Sequence, residues 1–141
     1  MISPTRNGIR SDAAGDGHHN TPRGYRRHNG VDFLCDPGQP VYMPIERGMI
    51  IRKAYPYKDD MSYEGIYIAG FESQCAIELL IFYVVSTVSY NIMYRQGDVV
   101  AYAQDISKKY GHPMLPHVHL RIEKIDPLFF FDEGPKWDWT A

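Results

Sequence analysis

From His117 to Ile125 the chain reads His-Val-His-Leu-Arg-Ile-Glu-Lys-Ile, an alternation with the period of an extended strand. Side chains two apart on a strand point the same way, so His117 and His119 share one side, about 7 Å apart along the chain by the strand rise. Runs with strand character recur upstream. Val41-Tyr42-Met43 follows a Pro-Gly-Gln-Pro turn, Gly48 to Ala54 and Gly65 to Ala69 follow, Ala76 to Val85 is the most apolar, and Asp98 to Ala103 is another. Helix signal is confined to Ala103 to Tyr110, where Gly111 and Pro113 would end it. Twelve glycines and ten prolines supply the turns between these short runs. The pattern predicts an all-β fold, mainly an antiparallel sheet or sandwich. Its divisions are an irregular N-terminal arm over 1–24 that packs on the domain, a β domain over 25–127 and an aromatic C-terminal tail over 128–141.

With 141 residues the chain makes one domain with a real core. A net charge of −2 and dispersed basic residues argue against nucleic acid or an anionic membrane surface as partner. The exception is the small group Arg23, Arg26 and Arg27, which reads as solvated charge beside a loop, with an acidic substrate as the alternative. The longest apolar stretch, Ala76 to Val85, carries Glu78 and falls far short of the roughly 20 residues that span a bilayer. Without a leader-like N-terminus, the expectation is cytoplasmic synthesis, or release by the route of phage lysis and virion proteins. Cys35 and Cys75 are too few for a disulfide scaffold and read as buried free thiols.

Two distant stretches carry the chemistry: His28-Asn29-Gly30-Val31-Asp32 and His117-Val118-His119. His28 and Asp32 flank Gly30, which permits a tight turn that lets an imidazole and a carboxylate converge on one ion. One of His117 and His119 completes a set of two imidazoles and a carboxylate, while the other stands close enough to act on a water. That set suits Zn2+ with an open position, the arrangement of a hydrolase. Fe(II) oxygenases use the same residue types, but usually place the carboxylate two residues after the first histidine. Between His28 and His112 there is no histidine. The loop from Tyr55 to Glu64 is tyrosine-rich, and its rings either line a groove or cover the edge of the core. The tail, with Leu128-Phe129-Phe130-Phe131, Trp137 and Trp139, either packs back over the sheet or inserts into a protein partner.

These residues resemble the lysostaphin/LytM-type zinc endopeptidases, which cut peptide cross-bridges of peptidoglycan. The likeness runs through His28-x-Gly30-x-Asp32, Pro37 to Pro44, Gly48-Met49-Ile50, Gln96 to Ala101 and Pro116 to Leu120, and covers residues 25 to 127. It implies zinc held by His28, Asp32 and His119, with His117 as general base and a peptidoglycan peptide as substrate. Within it, the words Asn7 to Arg10, His28 to Cys35, Ala54 to Tyr57, Cys75 ahead of Phe82-Tyr83, and Pro116 to His119 are similar to a chemotaxin-2-like vertebrate branch regarded as non-peptidase. That likeness implies the alternative, a degenerate zinc-binding module that holds a protein or glycan. In that branch both cysteines form disulfides, whereas here Ser11 replaces one partner and Lys124 or Ile125 occupies the region of the other. Active members of the family carry a second histidine in a Tyr-x-His segment, at the position of Val85 here. Tyr83, Ser86, a tyrosine of the 55–63 loop or His112 are the candidates to replace it. Asn7, His18, His19 and Asn20 are candidates to plug the open position.

Overall fold

Antiparallel pairing carries the architecture of the computed structural model, which describes residues 1–71 and 77–130. Two short ladders lie in the arm: β1 (Ser11–Asp12) with β2 (Gly15–Asp16), and β3 (Pro22–Arg23) with β4 (Arg26–Arg27). There follow β5 (Val31–Leu34), β6 (Pro40–Tyr42), β7 (Arg47–Ala54), β8 (Gly65–Gly70), β9 (Ile77–Phe82), β10 (Val84–Ser86), β11 (Met93–Arg95) and β12 (Val99–Ala103). A one-turn helix α1 (Ser107–Tyr110) precedes the long β13 (His117–Ile125), and a 3-10 turn spans Pro127–Phe130. One six-stranded sheet runs β11-β7-β8-β9-β13-β5, and a three-stranded sheet runs β10-β12-β6.

The period-two pattern decides what each sheet buries. Ile50, Ile66, Ile68, Leu79, Ile81 and Val118 from the large sheet join Val41, Val84, Val100 and Ala101 from the small one in a single apolar cluster. Burying each such large aliphatic side chain is worth about 1.5–3 kcal/mol before conformational entropy is set against it. The opposite face of the large sheet carries a second, smaller cluster of Ala54, Tyr67, Leu80 and Phe82, with Tyr83 packed against it. Register puts His119 across from Phe82 on one side and from Asp32 on the other, so the polar site grows beside that second cluster.

Two expectations change. The run to Val85, expected as one strand, divides over its described part into β9 and β10, which belong to different sheets. Tyr83 lies between them with φ 69, a left-handed backbone that a bulky residue rarely adopts and that no strand can pass through. It is held there because the Tyr83 amide donates to the Glu64 carbonyl (2.8 Å) and the Gln104 amide donates to the Tyr83 carbonyl (2.8 Å). The helix expected from Ala103 begins only at Ser107, because Ala103 is still paired in the sheet with Val84. Strand β11 was not foreseen: it is a three-residue strand at the sheet edge, too short and exposed to show a period.

Within the arm, Thr5 and Arg10 are buried, and the chain is threaded against β5. The Arg10 amide donates to the Asp32 carbonyl, the Asp32 amide to the Gly17 carbonyl, and the Gly17 amide to the Arg10 carbonyl, at 2.7–2.8 Å. Cys35 is a buried free thiol, pushed up to about 12 by burial and so unreactive. Cys75 and the tail over 131–141 lie outside the described residues. Among the described residues no helix is long and apolar enough to cross a membrane.

Candidate metal centre

Strands β5 and β13 are neighbours, which sets Asp32 directly opposite His119. His28 arrives from the segment between β4 and β5, where its amide donates to the Thr21 carbonyl and its carbonyl accepts from the Asn20 amide. Three donor atoms then converge. His28 Nε2 lies 3.1 Å from His119 Nδ1, His119 Nδ1 lies 2.9 Å from Asp32 Oδ1, and Asp32 Oδ1 lies 3.2 Å from His28 Nε2. Ligands at roughly 2.0–2.1 Å on a tetrahedral zinc stand about 3.3 Å apart, so this triangle matches one face of that tetrahedron in size and in donor type. The residues present fit the ion, and its fourth corner has no protein ligand among the described residues.

Hydrogen bonds at the far side of each ring set which nitrogen is offered. His28 Nδ1 donates to the His18 carbonyl at 3.0 Å, leaving Nε2 bare toward the triangle. His117 Nδ1 donates to the Leu115 carbonyl at 2.8 Å, leaving its Nε2 bare 3.7 Å from Asp32 Oδ2. Phe82 stacks on His119 with ring centroids 6.1 Å apart. Gly30 completes the seat: a Cβ there would lie 2.4 Å from the Leu120 carbonyl oxygen and 2.7 Å from His119 Nε2. Its φ is not among the positive ones, so the glycine serves closeness to the ring rather than a turn.

Asp32 divides its two oxygens between neighbours. Oδ1 faces the imidazoles, while Oδ2 accepts from Arg10 Nε (3.3 Å) and a terminal guanidinium nitrogen (3.2 Å). The other terminal nitrogen grips Asp12 at 2.8 and 2.9 Å, and Asp12 accepts from the Leu115 amide at 2.9 Å. One chain of bonds, buried at its Arg10–Asp32 end, thus runs from Asp32 through Arg10, Asp12 and Leu115 to His117. Burial pushes the Asp32 carboxyl up, but its hydrogen-bond contact with His119 and the neighbouring imidazoles outweigh it and hold the group below its ordinary value. Burial, above all, holds His28 and His117 below the ordinary histidine value. Neutral imidazole is the form that ligates a cation or accepts a proton.

The structure brings His28, Asp32 and His119 together and sets His117 beside them, in a cleft of about 440 Å³. Val85 does not line that cleft; Tyr83 does, its ring 5.6 Å from the His117 ring. The hydroxyls of Tyr83, Tyr57 and Tyr110 form a chain, 3.1 Å and 2.6 Å long at its two links. Ser86 is turned to the carbonyls of Val88 and Val100, and His112 is exposed outside the cleft. Of the expected plugs, Asn7 bonds Gln39, the His18 ring pairs with Asp16, and none of Asn7, His18, His19 or Asn20 lines the cleft. Arg23, Arg26 and Arg27 do line it. Arg10 is the residue that sequence reasoning missed, since nothing in its neighbours announces that an arginine so near the N-terminus is 2% exposed.

No family model matches the chain. It is 31% identical over 131 residues to leukocyte cell-derived chemotaxin-2 of Mus musculus, covering 91% of this chain and 82% of that protein. It is 29% identical over 121 residues to the Bos taurus protein of the same name, covering 84% and 76%. Among solved structures it is similar to the antimicrobial peptidase lysostaphin from Staphylococcus simulans, with a TM-score of 0.55 and 21% identity over 84% of this chain. That likeness is one of fold, and the chain spans 45% of the lysostaphin chain.

Proposed function

This chain belongs to the family of leukocyte cell-derived chemotaxin-2 and has the lysostaphin-like fold, and from its donor set we propose that it is a zinc-dependent endopeptidase acting on peptidoglycan peptide cross-links. The observation that carries this reading is the triangle of His28, Asp32 and His119 donors with the bare Nε2 of His117 beside it. A purely structural site needs no such base.

His28 Nε2, Asp32 Oδ1 and His119 Nδ1 hold the ion. Zinc, when bound, supplies a Lewis acid that brings the acidity of a water molecule to near pH 7. His117 Nε2 accepts a proton from the attacking water and returns it to the departing amine nitrogen. The Arg10–Asp12–Leu115 chain keeps the His117 ring and the Asp32 carboxylate turned toward each other. Burial pushes the Tyr83 hydroxyl up to about 12, so it keeps its proton at working pH and donates to the carbonyl oxygen as negative charge develops there. That role stands in for the histidine that Val85 replaces.

Val85 also favours a second reading, in which the cleft holds a peptide or glycan on a zinc-stabilised fold without cutting it. Incubating zinc-loaded protein with cross-linked muropeptides, beside His117→Ala, separates the two. Cleavage that is lost in the variant is the expected result. No cleavage by either protein, with muropeptide still bound, would replace the peptidase with the binding module.

A further inference from the structure

The hairpin just before His28 gives the cleft a charge that the rest of the chain does not have. The whole chain carries −2, yet five guanidinium groups line this one cleft, those of Arg10, Arg23, Arg26, Arg27 and Arg121, against a single carboxylate, Asp32. Arg10 is spent on Asp12 and Asp32, and Arg121 on Glu123 at 3.1 Å. Among the described residues, three of these charges remain without a carboxylate in hydrogen-bond reach. Arg23 bonds the backbone carbonyls of Asp16 and Pro22, and its nearest carboxylate oxygen, on Asp32, is 4.0 Å away. Among the described residues Arg27 bonds only the Asn20 carbonyl, at 3.0 Å. The Arg26 guanidinium has no hydrogen bond or ion pair among the described residues. All three sit on β3 and β4, tied to the candidate metal ligand because the His28 amide and carbonyl pair with Thr21 and Asn20 at the hairpin's base.

Like charges at facing and adjacent positions of one hairpin repel, and the hairpin offers them to solvent: β4 is exposed and Tyr25 at the tip is 100% exposed. A guanidinium fork matches a carboxylate in shape and charge. Building on the peptidase reading above, we propose that the β3–β4 hairpin selects peptides bearing a free carboxylate close to the scissile bond, with Arg26 and Arg27 as the groups that receive it. A neutral glycine bridge would leave these arginines without a partner. A nucleic acid would meet the net negative charge of the remaining surface, so a small acidic peptide is the occupant that a cleft of about 440 Å³ favours.

The test is calorimetric binding to the zinc-loaded full chain of three probes: a short peptide with side-chain carboxylates, the same peptide amidated, and pentaglycine. Zinc content of every protein is measured in parallel as a check on folding. The acidic peptide is expected to bind about 10- to 100-fold more tightly than its amide, the size of one charge-assisted contact, and to lose affinity as salt is raised. Arg26→Gln/Arg27→Gln is expected to abolish that preference. Equal binding of acid and amide, no binding of the acid, a preference that survives the double variant, or tighter binding of a single-stranded oligonucleotide overturns the proposal. A preference for the acid without cleavage defeats the peptidase reading and leaves the hairpin's selectivity standing. Cleavage without any preference does the reverse.

Discussion

Tyr83 combines a positive φ, partial burial and a place in the cleft, and an unfavourable backbone persists where the surroundings over-determine it. If its hydroxyl donates to the reacting carbonyl, Tyr83→Phe should lower kcat about 100- to 1000-fold, the usual cost of losing one such donor, with zinc content unchanged. Steady-state kinetics on a cross-linked peptide read this directly. Gly30→Ala is a test of space: backbone at Leu120 and the His119 ring leave no room for a methyl group. It should destabilise the fold by about 1–3 kcal/mol in denaturant unfolding and weaken zinc binding as well. At this scale the sequence was informative where chemistry is local. His28, Asp32, His117 and His119 could be found because their residue types and spacings carry their chemistry. Arg10 could not, because its burial is the product of an arm folding back on β5, and no local pattern encodes that return. Tyr83 was visible only as one of several donors, since nothing in Phe-Tyr-Val-Val announces a left-handed residue between two sheets.

Elements place these residues and also tie their stabilities together. The arm is fastened to β5 by backbone bonds and by Arg10, which neutralises both Asp12 and Asp32. Arg10→Met should therefore cost about 3–5 kcal/mol of unfolding free energy, because it strands two buried carboxylates. Burial pushes Asp12 up, but the Leu115 amide and the Arg10 guanidinium outweigh it and hold the carboxyl below its ordinary value. The sign follows from linkage: a depressed folded pKa contributes stability that is present above the unfolded value, about 4, and is lost as pH falls through the folded one. Thermal unfolding followed downward from about pH 5 should show this loss, and Asp12→Asn should reduce it, the remainder coming from Asp32. The strand runs were legible because alternation is local, and the β5–β13 pairing was foreshadowed by the metal-like residues on both. The break at Tyr83 and the edge strand β11 were not, since one depends on bonds to Glu64 and Gln104 and the other is three residues long.

For the whole molecule, the all-β class followed from short runs and frequent turns, while the partition into a six-stranded and a three-stranded sheet depends on long-range pairing that composition does not report. A cation held by His28, Asp32 and His119 would bind only the folded chain, so it should stabilise the whole domain. At a free zinc concentration of 100 times Kd the gain is about 2.7 kcal/mol, and chelation should lower Tm accordingly. The most direct test is X-ray absorption at the zinc edge of the purified, zinc-loaded protein, beside His119→Ala. Two imidazole nitrogens, one carboxylate oxygen and one further light atom from solvent are expected near 2.0 Å, with the ion lost or recoordinated in the variant. A sulfur ligand, a third imidazole closing the site, or an unchanged spectrum in the variant would contradict it.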